Sequence, residues 1–373
     1  MRLSSLRGLL LLCLAAWLPV AADGPPAEVV IVGTQHFITD MPEGYTPGHL
    51  RALLARIRPD VVALEAPTNA ADPWASLPYE AWNVTRPWAD AHKILTAPVG
   101  WDVPDYSQRL GRMFQEIQGR KDGAALGAEL QAHEARFQRE VGSLQSMERM
   151  NDAAYRKLWK DYHAVLHRLY GKDTPWEEWN ARIADNLLAL CRKHPGKRIT
   201  VVFGAAHAYF LEDTLKAVPG VVLLPVEGFL PLDPQEVERE MTPLDELKAL
   251  RLLNFGQLDP SILPALERHL GAVGRHPELQ GDYLLFRGKL LLHRRKPQEA
   301  LVEFRKLGES DPKALSAFDA TTRLMEAGLV YAALALGQMG KTEEARAELK
   351  TLEGRPGLSP ATLQWVRQLL AAP

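Results

Sequence analysis

An α/β domain with a parallel-rich sheet, flanking helices and a helical insertion, followed by a C-terminal all-α domain, is the fold class this sequence predicts. Two observations carry it. Short runs rich in β-branched residues and free of charge (Val29–Val32, Val61–Leu64, Ile199–Phe203, Val221–Leu224) alternate with stretches of helical periodicity across residues 27–230. Beyond Met241 no further strand-like run occurs, and small and aromatic residues fall at repeat-like offsets.

A chain of 373 residues is long enough for two domains. Its 46% hydrophobic and 24% charged residues place it among ordinary globular proteins rather than disordered ones. A formal net charge of −2 gives no electrostatic ground for a nucleic-acid partner.

Residues 1–22 read as a signal peptide. Arg2 and Arg7 form a positive start, Leu9 to Leu18 an apolar core too short to span a bilayer, and Val20-Ala21-Ala22 a small-residue cleavage site. The expectation is an exported chain, periplasmic or secreted, with no transmembrane segment after cleavage. Cys13 follows Leu12 rather than a small residue, which argues against a lipoprotein anchor. Cys191 is then the one cysteine left, so no internal disulfide forms, and its apolar helical surroundings predict a small buried hydrophobe.

Ala27–Val32 is the first predicted strand. A loop containing Pro42, Gly44 and Pro47 follows it, and Pro47 suits the first turn of a helix running through Ile57. Pro59-Asp60 breaks that helix before the strand Val61–Leu64, which completes a βαβ unit over residues 27–65 with a right-handed crossover. Residues 66–104 are rich in proline and tryptophan. Trp74, Trp82, Trp88 and Trp101 are read either as a lid or as padding of the sheet surface, with padding preferred. From about 105 to 170 the pattern is helical and too long for one helix, which predicts two or three inserted helices. A helix over Trp176–Arg192 leads to the strand ending at Phe203, and a helix over Tyr209–Ala217 leads to a last strand at Val221–Leu224.

Pro231 to Pro243 reads as a linker between domains at 23–235 and 236–373. In the second, Gly288, Ala300, Phe304 and Pro312 match the offsets of a tetratricopeptide repeat, and Ala333, Leu336, Gly340, Ala345 and Leu349 make a weaker copy. The spacing from Ala300 to Ala345 exceeds the usual period of about 34 residues, so an insertion is expected after Pro312. Gly288 and Ala300 are expected to face each other across one hairpin, with Phe304 filling the space toward the next. A protein partner is the expected ligand of this tail.

Ligands of open parallel sheets gather at the carboxyl ends of the strands. His36, Glu65, His207 and Glu227 stand at four such ends, and the two histidines close matching GxxH units, Gly33-Thr34-Gln35-His36 and Gly204-Ala205-Ala206-His207. Gly204 is expected to supply a sharp backbone turn. Two imidazoles and a carboxylate suffice to hold a divalent metal with a position left open. Glu227 precedes Gly228 and reads better as a turn residue. His163 and His167, four apart on one helical face without the glutamate a zinc-protease helix carries, read as a solvated surface rather than a metal pair.

The paired GxxH units with Val62-Ala63-Leu64-Glu65 resemble the TraB/TIKI-like family, related more broadly to erythromycin esterase-like and ChaN-like proteins. The resemblance covers residues 27–230. It implies a metal-dependent hydrolase acting on a peptide or ester bond of a small-molecule or peptide substrate. His36 and His207 would hold the metal, with Glu65 as third ligand or as base. The family tends to carry an Arg-Asn pair on the helix before the second GxxH. Here that helix reads Trp179-Asn180-Ala181-Arg182, and Arg182, one turn along, would take the arginine's part in orienting a carboxylate or an oxyanion. The ChaN-like relatives imply an alternative, haem or another ligand bound without turnover. A scaffold with an inactive α/β domain is a third reading.

Overall fold

The computed structural model describes residues 24–36, 44–75, 77–141, 146–171, 174–254 and 258–371; the predicted signal peptide lies outside them. Five strands form one parallel sheet: β1 (Ala27–Thr34), β2 (Val61–Pro67), β3 (Leu95–Gly100), β4 (Arg198–Gly204) and β5 (Val221–Leu223), in the order β3-β2-β4-β1-β5. The central strands are β2, β4 and β1, with β3 and β5 at the edges. On one face Val29, Ile31, Val61, Ala63, Ile199 and Val201 are buried, and the alternate residues Val30, Val32, Val62 and Leu64 are buried as well. Both faces are covered, which is why these strands read as continuous apolar runs rather than alternating ones.

β3 was not legible as a strand. Pro98 sits inside it and its first residue, Leu95, is exposed. An edge position explains both features, because proline has no N–H to give to a second neighbour. Gly100 is required where β3 ends: a Cβ there would stand 2.9 Å from the Ala66 backbone.

The helices of this half are α1 (Pro47–Ile57), α2 (Arg86–Ala91), α3 (Tyr106–Gln118), α4 (Gly123–Val141), the single turn α5 (Met147–Met150), α6 (Ala153–Tyr170), α7 (Pro175–Lys193) and α8 (Ala208–Leu215). α7 begins with Thr174 capping the Glu177 N–H and with Pro175 at its first position. Its apolar stripe, Ile183, Ala184, Leu187, Leu190 and Cys191, lies in the same buried cluster as Val29, Ile199 and Phe203. Burial pushes the Cys191 thiol up to about 11, as expected of an inert core cysteine.

Contacts divide the chain into two compact units. The first is Met1–His36, Leu53–Leu144 and Glu148–Pro231; the second is Phe37–Ala52, Gln145–Met147 and Leu232–Pro373. Within the second, the Arg51 guanidinium takes Asp245 Oδ2 at 2.5 Å and Oδ1 at 3.2 Å.

The stretch expected as a linker is largely helical. α9 (Pro234–Glu240) and α10 (Pro243–Ala249) each start with a reciprocal capping box, Asp233 with Glu236 and Thr242 with Asp245, followed by proline at the first helical position. Two of the prolines in that stretch, Pro234 and Pro243, are helix starts. The rest is helical: α11 (Leu263–Val273), α12 (Gln280–His293), α13 (Pro297–Gly308), α14 (Leu324–Gln338), α15 (Thr342–Glu353) and α16 (Pro360–Ala371). The expected insertion is the connection between α13 and α14, pinned by Asp282, which accepts from the Ser316 hydroxyl and from Ala317 N–H at 3.0 Å. One packing expectation is corrected. The nearest group to a Cβ at Gly288 would be the Phe304 ring, 2.3 Å away at Cε1, so the ring, which was expected to fill the space toward the next hairpin, lies inside this one. Among the described residues no helix is long and apolar enough to cross a membrane.

Candidate functional site

His36, Glu65 and His207 come from the carboxyl ends of the three central strands, and the fold brings their side chains together. His36 Nε2 stands 3.9 Å from Glu65 Oε2, and His207 Nε2 stands 3.7 Å from Glu65 Oε1. Glu65 Oε2 also accepts the Gly204 N–H at 2.8 Å. The β2–β3 register shifts between Leu64 and Pro67, the stretch that carries Glu65, and such irregularities re-aim side chains at the ends of strands.

The two motif glycines serve close approach, not unusual backbone angles. Gly204 has φ −51° and ψ 129°, open to any residue, which corrects the expected role in a sharp turn. A Cβ on Gly204 would lie 3.1 Å from His36 Nε2 and 3.5 Å from Glu65 Oε2, filling the space that these groups share. A Cβ on Gly33 would lie 2.9 Å from Ala205 Cβ. Each glycine thus makes room for the other motif.

Both imidazoles are held by Nδ1. The Asn180 amide NH2 donates to Trp176 O at 3.1 Å, which leaves Asn180 Oδ1 to accept from His207 Nδ1 at 2.7 Å. His36 Nδ1 donates to Glu80 Oε1 at 3.0 Å, where the Thr34 hydroxyl also arrives at 2.7 Å. With both Nδ1 atoms protonated, both Nε2 lone pairs face Glu65. Ligating histidines commonly show this arrangement, with the far ring nitrogen anchored on an oxygen.

Sequence reasoning missed Glu80 and Asn180. Glu80 is 1% exposed, and its Oε2 has no partner among the described residues. It stands just before a π-helical turn, Ala81–Thr85, in the stretch where no periodicity was legible. Asn180 lies in the stretch Trp179-Asn180-Ala181-Arg182 that the sequence singled out, but only Arg182 received a role there. Asn151, also missed, clamps Gly33 through both backbone groups, accepting from its N–H at 2.7 Å and donating to its carbonyl at 3.1 Å.

Two of the other candidates lie elsewhere. Arg182 is exposed with its guanidinium over the Trp101 ring at 5.3 Å, and among the described residues no hydrogen bond or ion pair joins it to the three site residues. Glu227 lies in a 3-10 turn and pairs with Arg156, in keeping with the turn reading. Of the tryptophans in the 66–104 stretch, Trp74 and Trp82 lie against Arg86, Trp88 stacks on His92 and Trp101 lies under Arg182; Trp88 is buried, whereas Trp82 is exposed.

The site is asymmetric in exposure. The His36 side chain is 43% exposed, whereas His207 is 3% exposed beneath Trp176, whose ring stacks on it at 4.5 Å. The hydrogen bond to Glu80 raises the His36 pKa against the opposing effect of burial. Burial, reinforced by His163 and His36, pushes His207 down to about 3, and burial raises Glu65 above the ordinary carboxylate range.

His163 is a correction. It is 4% exposed, not on a solvated face, because α6 turns it onto Trp176 at 4.5 Å and Tyr209 at 5.4 Å, while His167 pairs with Glu177. Burial pushes His163 down to about 4. Unfolded, it titrates near 6.5, so between those values the unfolded chain binds the extra proton and stability falls as pH falls. Between pH 7 and 4.5 the loss is expected to be about 2–3 kcal/mol from this residue. Thermal unfolding across that range should show a shallower fall in His163→Phe, which keeps the stacking; an equal slope in both proteins would refute the assignment.

Compared with family models, with curated proteins and with solved structures, the chain finds no match in any of the three. Function therefore rests on the geometry. The residues fit a divalent metal in donor type, in the orientation of both lone pairs and in the space left by Gly204. Their separations exceed the roughly 3.4 Å between neighbouring donors of a tetrahedral zinc site. In keeping with that, no group of three or more His, Cys, Asp or Glu side chains among the described residues is placed closely enough to hold a metal ion as it stands.

Proposed function

We propose that this chain is an exported metal-dependent hydrolase that cleaves a peptide or ester bond, with the helical tail engaging a protein partner. One observation carries the reading: two imidazoles, each anchored by Nδ1, present Nε2 to opposite oxygens of one buried carboxylate. Lone pairs aimed at a carboxylate call for a cation between them.

His36 and His207 would hold the metal, with Glu65 as third ligand or as base. When bound, a divalent cation would supply Lewis-acid polarisation of the scissile carbonyl and ease the ionisation of water beside it. Glu65, with its pKa raised by burial, is suited to take a proton from the attacking water and to return it to the departing alcohol or amine. Asn180 and Glu80 hold the two rings in the required tautomer. The exposed edge of His36 is the side from which substrate arrives. These same residues speak for a small cation over haem, since His207 Nε2 faces Glu65 and its ring is covered by Trp176.

Elemental analysis after mild purification tests the reading. About one divalent metal per chain is expected, and none in the His36→Ala/His207→Ala double variant. A wild-type protein that takes up no metal under any loading condition ends it.

A further inference from the structure

Trp176 belongs to two places at once. It stacks on His207 at 4.5 Å and on His163 at 4.5 Å, nearly parallel to both. It is also a wall of a separate cavity of about 360 Å³ in the helical insertion. The other aromatic walls are Tyr106, Phe114, Trp159, Tyr162 and Tyr170, drawn from α3 and α6. Ala206, the residue immediately before His207, lines it too. A group lodged there therefore touches the second motif itself, one residue along the chain from His207. Among the described residues no lysine or arginine lines the cavity, and Glu134 stands on its wall. His163 is held neutral by burial and His167 is engaged by Glu177.

We propose that this cavity is a specificity subsite that accepts a planar aromatic group, neutral or cationic, carried by the substrate of the neighbouring site. The assignment of that substrate rests on the hydrolase reading; binding to the cavity does not. Flat aromatic walls favour a flat guest through offset and edge-to-face contacts. Cations gain further from the ring faces and from Glu134, and an anion meets the same features as repulsion. The exposed Phe114, packed edge-on against Tyr170 at 5.4 Å, marks the mouth.

Equilibrium dialysis of the full chain with 1-naphthylmethylamine and with 1-naphthaleneacetate tests this. The amine is expected to bind with Kd below about 1 mM and at least about threefold tighter than the acid. Filling the cavity with Leu166→Trp or Met113→Trp should weaken amine binding about tenfold or more in a protein that melts as wild type does. Nuclear Overhauser contacts from the naphthyl protons to the indole Nε1–H of Trp159 and Trp176 locate the guest in the unaltered protein, whatever the variants' fate. Absence of binding, binding undiminished in both folded variants, contacts that miss both indoles, or tighter binding of the acid overturns the proposal. If the amine binds as described while no ester or peptide is cleaved, the cavity stands and the hydrolase reading fails.

Discussion

Replacing Glu65 with glutamine is expected to lower kcat for ester or peptide hydrolysis about a thousandfold, in the middle of the range that positioned general bases contribute. The substitution isolates the base from the scaffold. Glutamine keeps an oxygen for the Gly204 N–H, which Glu65 now binds at 2.8 Å, and turns its NH2 toward an imidazole lone pair. The local hydrogen bonding survives, while the group that takes the proton is lost. Burial already strains the carboxylate toward its neutral form, so removing the charge should leave the unfolding midpoint equal or higher. Glu65→Asp retains the charge but withdraws it by one methylene, away from both Nε2 atoms, and should fall between wild type and Glu65→Gln. The reading fails if Glu65→Gln retains kcat within about tenfold of wild type.

Much of this arrangement was legible before any coordinates. Apolar β-branched runs identified four of the five strands; β1, β2 and β4, buried on both faces, need no alternation to be recognised, and the short edge strand β5 is apolar throughout. Placing His36, Glu65 and His207 at strand ends followed from the same runs, since the carboxyl edge of a parallel sheet is one place in space. What escaped was held by contacts remote in sequence. Glu80 reaches His36 from a stretch with no periodic pattern, and Asn151 reaches Gly33 across 118 positions, so neither has a local signature. β3 was hidden by the proline that its edge position permits. Arg182 shows the limit of reading by helical turn: a shift of two residues from Asn180 moved the side chain from His207 to Trp101. The capping boxes at Asp233 and Thr242, each followed by a first-turn proline, are visible in the sequence, although the stretch as a whole reads there as a linker.

In the helical tail, Phe304→Ala is expected to cost about 3–5 kcal/mol, the range for deleting a fully buried phenylalanine. Phe304 is 0% exposed, stacks on Tyr331 at 5.2 Å, and shares its cluster with Leu301, Leu307, Ala327 and Ala332. Its ring lies where a Cβ of Gly288 would be, so each residue depends on the size of the other. Gly288→Ala alone forces the ring aside and should cost about 1–3 kcal/mol despite the better helix propensity of alanine. With the ring removed, the same change meets open space and gains up to about 1 kcal/mol from propensity. The two substitutions should therefore couple, the double variant being more stable than the sum of the singles by about 2 kcal/mol or more. Urea unfolding of the full chain and of the three variants measures this. Additive effects would mean that Gly288 and Phe304 do not share the space assigned to them.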